Sequence, residues 1–204
     1  MTATADAARE DLRYVRQLAE SGAHAPLLGG RFMAWWGLLL TIAYTLQHFA
    51  LQGRFGEGGA AFGLIWGGFS LLGGLGQFAL ARSIAGKAGS GSAGNRASRP
   101  VWTAAAGAIL AMFIGLAIAS RGRMGPTTFD GIVPVAFTAY SCALVVTGAL
   151  ARSAVTKAAG AGAAAMVGLF TAMILSPDRY LLAAAGVFAT VLLPGLLLLR
   201  AERR

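Results

Sequence analysis

The stretch that decides the fold runs from Gly58 to Lys87 and reads GGAAFGLIWGGFSLLGGLGQFALARSIAGK. Between Ala60 and Ala81 it holds 22 residues without a charged side chain. At about 1.5 Å per residue, a helix of that length crosses the hydrocarbon core of a bilayer. Arg82 and the final lysine follow, and basic residues at a helix end favour the cytosolic side. The stretch therefore predicts a transmembrane helix.

The composition of the whole chain also indicates an integral membrane protein. Of its 204 residues, 56% are hydrophobic and only 12% are charged, against about 25% charged in a typical soluble domain. The net charge of +9 comes from basic residues at the ends of apolar runs, which is the pattern of membrane orientation rather than of nucleic-acid binding. Cys142 is the only cysteine, so no disulfide can form within the chain.

Six apolar spans are predicted, and each lacks Asp, Glu, Lys and Arg. They cover 32–51, 60–81, 101–119, 132–151, 158–175 and 180–199. The spans pair into three hairpins, 31–87, 99–157 and 158–204, and the last ends in a basic tail. A Gly/Ser/Ala-rich cytosolic loop is predicted at 88–98, because this composition is typical of flexible linkers. The predicted fold is all-α, a six-helix transmembrane bundle.

Residues 1–30 form a predicted cytosolic leader that contains an amphipathic helix at 6–21. Several acidic residues precede the first span at Phe32, so the leader is not expected to be a cleaved signal peptide. Two interpretations of the helix stay open, a helix lying on the membrane surface and a helix that docks on a protein partner. The candidate contacts for lipid headgroups or a partner are Arg9, Arg13, Arg16 and Arg31.

The distribution of basic residues predicts the orientation. With six spans and a cytosolic N-terminus, thirteen of the 17 Lys and Arg residues lie on the cytosolic side. The other side keeps four, at Arg54, Arg121, Arg123 and Arg179. This bias places both termini in the cytosol. The charged leader and the tryptophan-rich first span suggest the cytoplasmic (inner) membrane of a bacterium.

An internal repeat is suggested by two matching patterns. The sequence Ala-Leu-Ala-Arg-Ser occurs at 79–83 and again at 149–153. Trp35 and Arg54 are 19 residues apart, as are Trp102 and Arg121. Hairpins 31–87 and 99–157 are therefore predicted to be two copies with the same orientation. Basic residues at cytosolic helix ends would produce part of this similarity without duplication.

Small residues line one face of several predicted helices, where they allow two helices to approach closely. We expect most of these faces to pack within the bundle, and the alternative is that one contacts a second subunit in a homo-oligomer. The candidate packing residues are Gly63, Gly67, Gly74, Gly107, Gly115, Gly160 and Gly168.

A polar stripe follows one face of the first span, with Gln47 near its edge. Polar side chains at that depth must face protein or water. They can hydrogen-bond to neighbouring helices, or they can line an outward-facing pocket or pore in which His48 responds to protons. The ligand or pore-lining candidates are Thr41, Tyr44, Thr45, His48 and Gln52.

Residues for catalysis or metal binding are not evident. The spans hold no carboxylate, and His24 and His48 are predicted on opposite sides of the membrane. No catalytic residues, metal site or cofactor are therefore predicted, and enzymatic activity is not expected.

Two functions remain open. The first is a non-catalytic accessory, sensory or regulatory subunit that contacts a membrane or cytosolic protein. The alternative is a passive channel or carrier for a small neutral or weakly charged solute. A water-filled space that reaches His48 would favour transport, and a packed core would favour the interaction protein.

Overall fold

The computed structural model describes residues 27–55, 59–87, 89–121 and 127–202, together with Arg13. Within these residues the chain is helical and contains no strand. The helices are α1 (Gly30–Leu51), α2 (Ala60–Ile84), α3 (Ala93–Ala119), α4 (Ile132–Leu150), α5 (Ala154–Ala172) and α6 (Arg179–Ala201). The all-α prediction is confirmed. The leader helix predicted at 6–21 lies outside the described residues, apart from Arg13.

Five of these helices, α2 to α6, are long and apolar enough to cross a membrane. Among the described helices α1 does not reach the same hydropathy, because its C-terminal half carries Tyr44, Gln47 and His48. The five helices indicate a membrane protein. The count of six spans stays a prediction.

Two helices begin earlier than the sequence predicts. α3 begins at Ala93 instead of residue 101, so the second half of the predicted loop 88–98 is helical. Ser92 caps this helix, since its hydroxyl accepts a hydrogen bond of 3.3 Å from the backbone N–H of Asn95. α5 begins at Ala154, four residues before the predicted start, and Ser153 caps it in the same way. Serine caps start a helix before its apolar part begins.

α6 changes its winding in the middle. It is α-helical over Arg179–Val187, π-helical over Phe188–Leu192 and α-helical again over Leu193–Ala201. Pro194 has no backbone N–H for the regular i→i−4 bond. In the π-helical turn the N–H of Leu193 instead donates to the carbonyl of Phe188, five residues back. Wider turns of this kind relieve local strain inside α-helices.

The core is formed by α1, α4, α5 and α6, while α2 packs on α1 and α3 packs on α4. Half of the most apolar 18-residue stretch of α6 is buried, whereas only 6% of the corresponding stretch is buried in α2 and in α3. The largest fully buried side chains are Tyr180, Phe137, Phe170 and Leu144. α2 and α3 are therefore peripheral helices whose outer faces are free to contact lipid or another protein.

Glycines bring the backbones of the core helices close together. A Cβ atom added to Gly37 of α1 would lie 2.8 Å from the Cα of Leu192 in α6. One added to Gly195 of α6 would lie 2.6 Å from the backbone N of Ala34. Gly160 of α5 meets α4 similarly, 2.7 Å from Val145. Small residues at such crossings permit van der Waals contact between backbones.

Most of the glycines predicted to pack inside the bundle do not. Within the described part of the chain, no atom outside the local backbone lies within 4 Å of a Cβ placed at six of these seven positions, Gly63, Gly67, Gly74, Gly107, Gly115 and Gly168. The expectation that they pack within this chain is corrected, because five of them lie on the peripheral helices α2 and α3. Whether they pack against a second subunit stays untested.

The buried positions of α1 recur in α4 at a spacing of 100 residues. The shared positions are 33/133, 37/137, 40/140, 43/143, 44/144, 47/147 and 48/148. The pair 47/147 also has the same kind of partner in both helices. The indole N–H of Trp66 in α2 donates to Gln47, and the indole N–H of Trp102 in α3 donates to Thr147. This register relates α1 to α4, whereas the sequence repeat relates α1 to α3. The repeat of hairpins 31–87 and 99–157 stays a prediction.

Candidate functional site

A cluster of polar side chains lies at the end of the bundle where α1 ends and where α2, α4 and α6 begin. α1 and the residue that follows it supply Gln47, His48 and Gln52. α2 supplies Trp66, and the turn before α4 supplies Asp130. The other three residues come from the start of α6 and the turn before it. We call this set the polar cluster, and it comprises Gln47, His48, Gln52, Trp66, Asp130, Asp178, Arg179 and Tyr180.

A buried ion pair stands at its centre. The Nε–H of Arg179 donates to Oδ2 of Asp130 over 3.1 Å, and the hydroxyl of Tyr180 donates to the other carboxylate oxygen. Arg179 also donates to the backbone carbonyl of Ser176 over 2.9 Å. Asp130 and Arg179 are each only 7% exposed, and Tyr180 is 1% exposed. Two charges at this depth require each other, because an unpaired buried charge is strongly unfavourable.

Gln47 joins α1 to α2. The indole N–H of Trp66 donates to Oε1 of Gln47 over 2.9 Å. The ring of Tyr44 packs beside both aromatic members, with centroids 5.6 Å from Trp66 and 6.0 Å from Tyr180.

His48 joins α1 to the turn before α6. Its Nδ1 lies 3.2 Å from the carbonyl oxygen of Pro177, which can only accept, so Nδ1 carries the proton. In the neutral ring Nε2 then accepts from the side-chain amide of Gln52 over 3.0 Å. The Oδ1 atom of Asp178 lies 3.9 Å from Nε2, and that side chain is 59% exposed. His48 itself is only 4% exposed.

The structure divides the polar stripe predicted on α1. Thr41 and Thr45 bond to their own helix, since their hydroxyls donate to the carbonyls of Gly37 and Thr41 at 2.7 and 2.8 Å. Tyr44 and His48 are buried, and Gln52 is exposed beside the imidazole. Two of the five candidates are therefore engaged by the backbone, and three belong to or border the polar cluster. A pore-lining role for any of them stays a prediction.

Four members of the polar cluster were not predicted as site residues, Trp66, Asp130, Asp178 and Arg179, and Tyr180 was predicted only as part of a span. A signal was present, because an acidic residue stands two positions before the fourth span and a basic residue directly before the sixth, on the same predicted side. Arg179 was considered only as one charge in the orientation count. A search for opposite charges at neighbouring span ends would have suggested the pair.

A second ion pair lies at the opposite end of α6. Arg31, predicted to contact headgroups or a partner, donates through Nη2 to Oε2 of Glu202 over 2.8 Å and through Nη1 to the hydroxyl of Ser83 over 3.2 Å. The Glu202 side chain is 4% exposed. Arg31 is therefore held inside the protein and joins α1 to α2 and to the end of α6. Arg13 is exposed, and Arg9 and Arg16 lie outside the described residues.

The interactions present at the polar cluster are hydrogen bonds and ion pairs. Across the described ranges no group of three or more His, Cys, Asp and Glu side chains is arranged to hold a metal ion. The open groove between α3 and α4 lies elsewhere, and its lining is almost entirely apolar, with Ala108, Pro134, Thr138 and Cys142 among its residues.

Comparisons with protein-family models, with curated proteins and with solved structures found no match for this chain.

Proposed function

We propose that this protein is a non-catalytic accessory, sensory or regulatory subunit located in a membrane. It acts by contacting another membrane protein through its peripheral helices. In this proposal the chain crosses the bacterial cytoplasmic membrane six times, with both termini in the cytosol. The observation that carries the proposal is the contrast between a tightly packed four-helix core and two helices, α2 and α3, that are almost unburied.

The packing around the predicted pore face supports this choice over transport. Tyr44, Gln47 and His48 are 3%, 2% and 4% exposed. The side-chain groups of Gln47 and His48 have partners on α2 and on the turn before α6. A solute path along this face would have to break these bonds, and each broken bond would leave a buried polar group unsatisfied.

The exposed faces of α2 and α3 support a role in interaction. α2 exposes Leu64, Leu71, Leu75 and Phe78 beside its open glycines, and α3 exposes Leu110, Phe113 and Ile118. Lipid covers such faces readily, but glycines that are open beside large apolar residues also form a groove into which a foreign helix fits. A partner helix is therefore expected on one of these two faces.

Affinity purification of the tagged full chain from native membranes tests this proposal. Two variants locate the contact, Gly67→Leu on α2 and Gly107→Leu on α3, because a Cβ at either position has no atom outside the local backbone within 4 Å. We expect a stoichiometric partner that is retained by one variant and lost with the other. Wild-type protein that purifies without any partner would contradict the proposal, and a homo-oligomer around a central axis would favour the channel instead.

A further inference from the structure

We infer that His48 and Asp178 form an acid-operated latch, in which protonation of His48 replaces its hydrogen bond from Gln52 by an ion pair with Asp178. The latch fastens the end of α1 to the turn before α6. It deepens the sensory form of the proposed function by naming its stimulus, protons on the side of the membrane that this end faces. It depends on that function only for its physiological meaning.

The two ring nitrogens of His48 have unequal surroundings, and this determines what protonation changes. Nδ1–H already donates to the Pro177 carbonyl, and this bond is the same in the neutral and the protonated ring. Nε2 changes from acceptor to donor, so the Gln52 amide that now donates to it must turn away. Gln52 is exposed, so it can rotate to present its oxygen without disturbing the core.

Asp178 is positioned to replace the lost interaction. Its Oδ1 lies 3.9 Å from Nε2, which is too long for a hydrogen bond but within ion-pair range. The side chain is mostly exposed, and a small rotation closes the gap. A charge-assisted hydrogen bond would then join α1 to the turn, beside the existing bond from Nδ1 to the same turn.

Three other charged groups at this end have contacts of their own. Asp130 is bound by Arg179 and by the hydroxyl of Tyr180, so the first two form a neutral unit. Arg54 lies over the ring of Phe49 at the exposed end of α1. Within the described residues Asp178 is thus the carboxylate that faces the imidazole from the turn, and α2 contributes only the neutral indole of Trp66.

Thermal unfolding of four full-length proteins in lipid nanodiscs tests the latch: wild type, His48→Gln, Asp178→Asn and the double variant, each at pH 5.5 and pH 8.0. At pH 5.5 we expect Asp178→Asn to lower the melting temperature by about 1–3 °C, which is typical of an exposed ion pair in a chain of this size. At pH 8.0, and in the His48→Gln background at either pH, only the smaller, pH-independent cost of losing a negative charge at the N-terminus of α6 should remain. Comparing the Asp178→Asn effect with and without His48 at the same pH removes the contribution of all other titrating groups.

Three outcomes would overturn the latch. They are an Asp178→Asn effect of equal size at both pH values, an effect at pH 5.5 of the same size with and without His48, and the absence of any effect at pH 5.5. If His48→Gln fails to fold, Asp178→Glu takes its place, since it keeps the carboxylate and should preserve the acid-dependent stability that Asp178→Asn loses. The purified protein is measured without a partner. These measurements can therefore contradict the latch without contradicting the proposed function, and the affinity purification can contradict the proposed function without contradicting the latch.

Discussion

At the scale of single residues, the polar cluster depends on Asp130. Its two carboxylate oxygens accept hydrogen bonds from Arg179 and Tyr180, both of which come from α6. One side chain in the turn before α4 therefore holds the start of another helix in place. The buried pair stabilises the fold mainly because removing either charge leaves the other without a partner in a weakly polar environment.

Replacing Asp130 by Asn should therefore destabilise the protein by about 3–5 kcal/mol, since Asn has nearly the same shape but leaves the guanidinium of Arg179 uncompensated. Asp178→Asn is the matched control, because it removes the same charge from an exposed side chain and should cost no more than about 1 kcal/mol. Unfolding in mixed micelles at pH 8.0 measures both. Equal stability of the two variants would show that the Asp130–Arg179 pair is not a structural requirement.

The polar cluster could be predicted from the sequence only in part. Polar residues spaced along the face of α1 predicted that Tyr44 and His48 would face protein or water, and both are buried in protein. Their partners, Pro177 and Tyr180, follow more than 120 residues later, and no periodic pattern links loop residues across that distance. Asp130 lies just outside a span, so the absence of carboxylates within the spans gave no indication of a buried one.

At the scale of helices, apolar sequence alone does not distinguish a face that touches protein from one that touches lipid, because both surroundings are equally apolar. Gly37 and Gly67 show this. The first contacts the backbone of α6, and the second faces open space on α2. The predicted uncharged runs overlap the described helices, and α3 and α5 begin before the predicted spans because serine caps precede the apolar residues.

Substitution of these two glycines by alanine measures the difference. Gly37→Ala places a methyl group 2.8 Å from Leu192, and the helices must separate, at a cost of about 1–3 kcal/mol. Gly67→Ala meets no atom of the described chain and should leave stability unchanged or slightly raised, since alanine favours helix. Thermal unfolding in one detergent compares them. A variant pair with the same melting temperature would mean that the close approach of α1 and α6 is not required.

At the scale of the whole molecule, the predicted orientation rests on thirteen basic residues on one predicted side of the membrane and four on the other. The five apolar helices do not by themselves determine which way the chain is oriented in the membrane. A sixth span requires α1 to cross the membrane as well, and the polar residues of α1 are covered by α2 and α6. If α1 crosses the membrane, both termini lie on the same side.

Single cysteines introduced into a Cys142→Ala chain test this topology. Those at Ser90 and Ala201 should be protected from an impermeant thiol reagent in intact cells and labelled after lysis, because both sites are predicted in the cytosol. A cysteine at Gly58, between the first two spans, should be labelled in intact cells. Labelling at Ser90 together with protection at Gly58 would reverse the orientation, and labelling of only one of Ser90 and Ala201 would exclude six spans.

The two ion pairs at the ends of α6 also have a consequence for the bilayer itself. Arg179 is bound to Asp130 at one end, Glu202 is bound to Arg31 at the other, and the 23 residues of the helix give a length of about 34 Å. Because each terminal charge is bonded to a residue outside α6, this helix cannot slide along its neighbours to suit a thinner or thicker membrane. If the helix length differs from the local hydrocarbon thickness, which is about 30 Å, the whole bundle must tilt or the surrounding lipid must deform. A change in acyl-chain length therefore acts on the bundle as a unit.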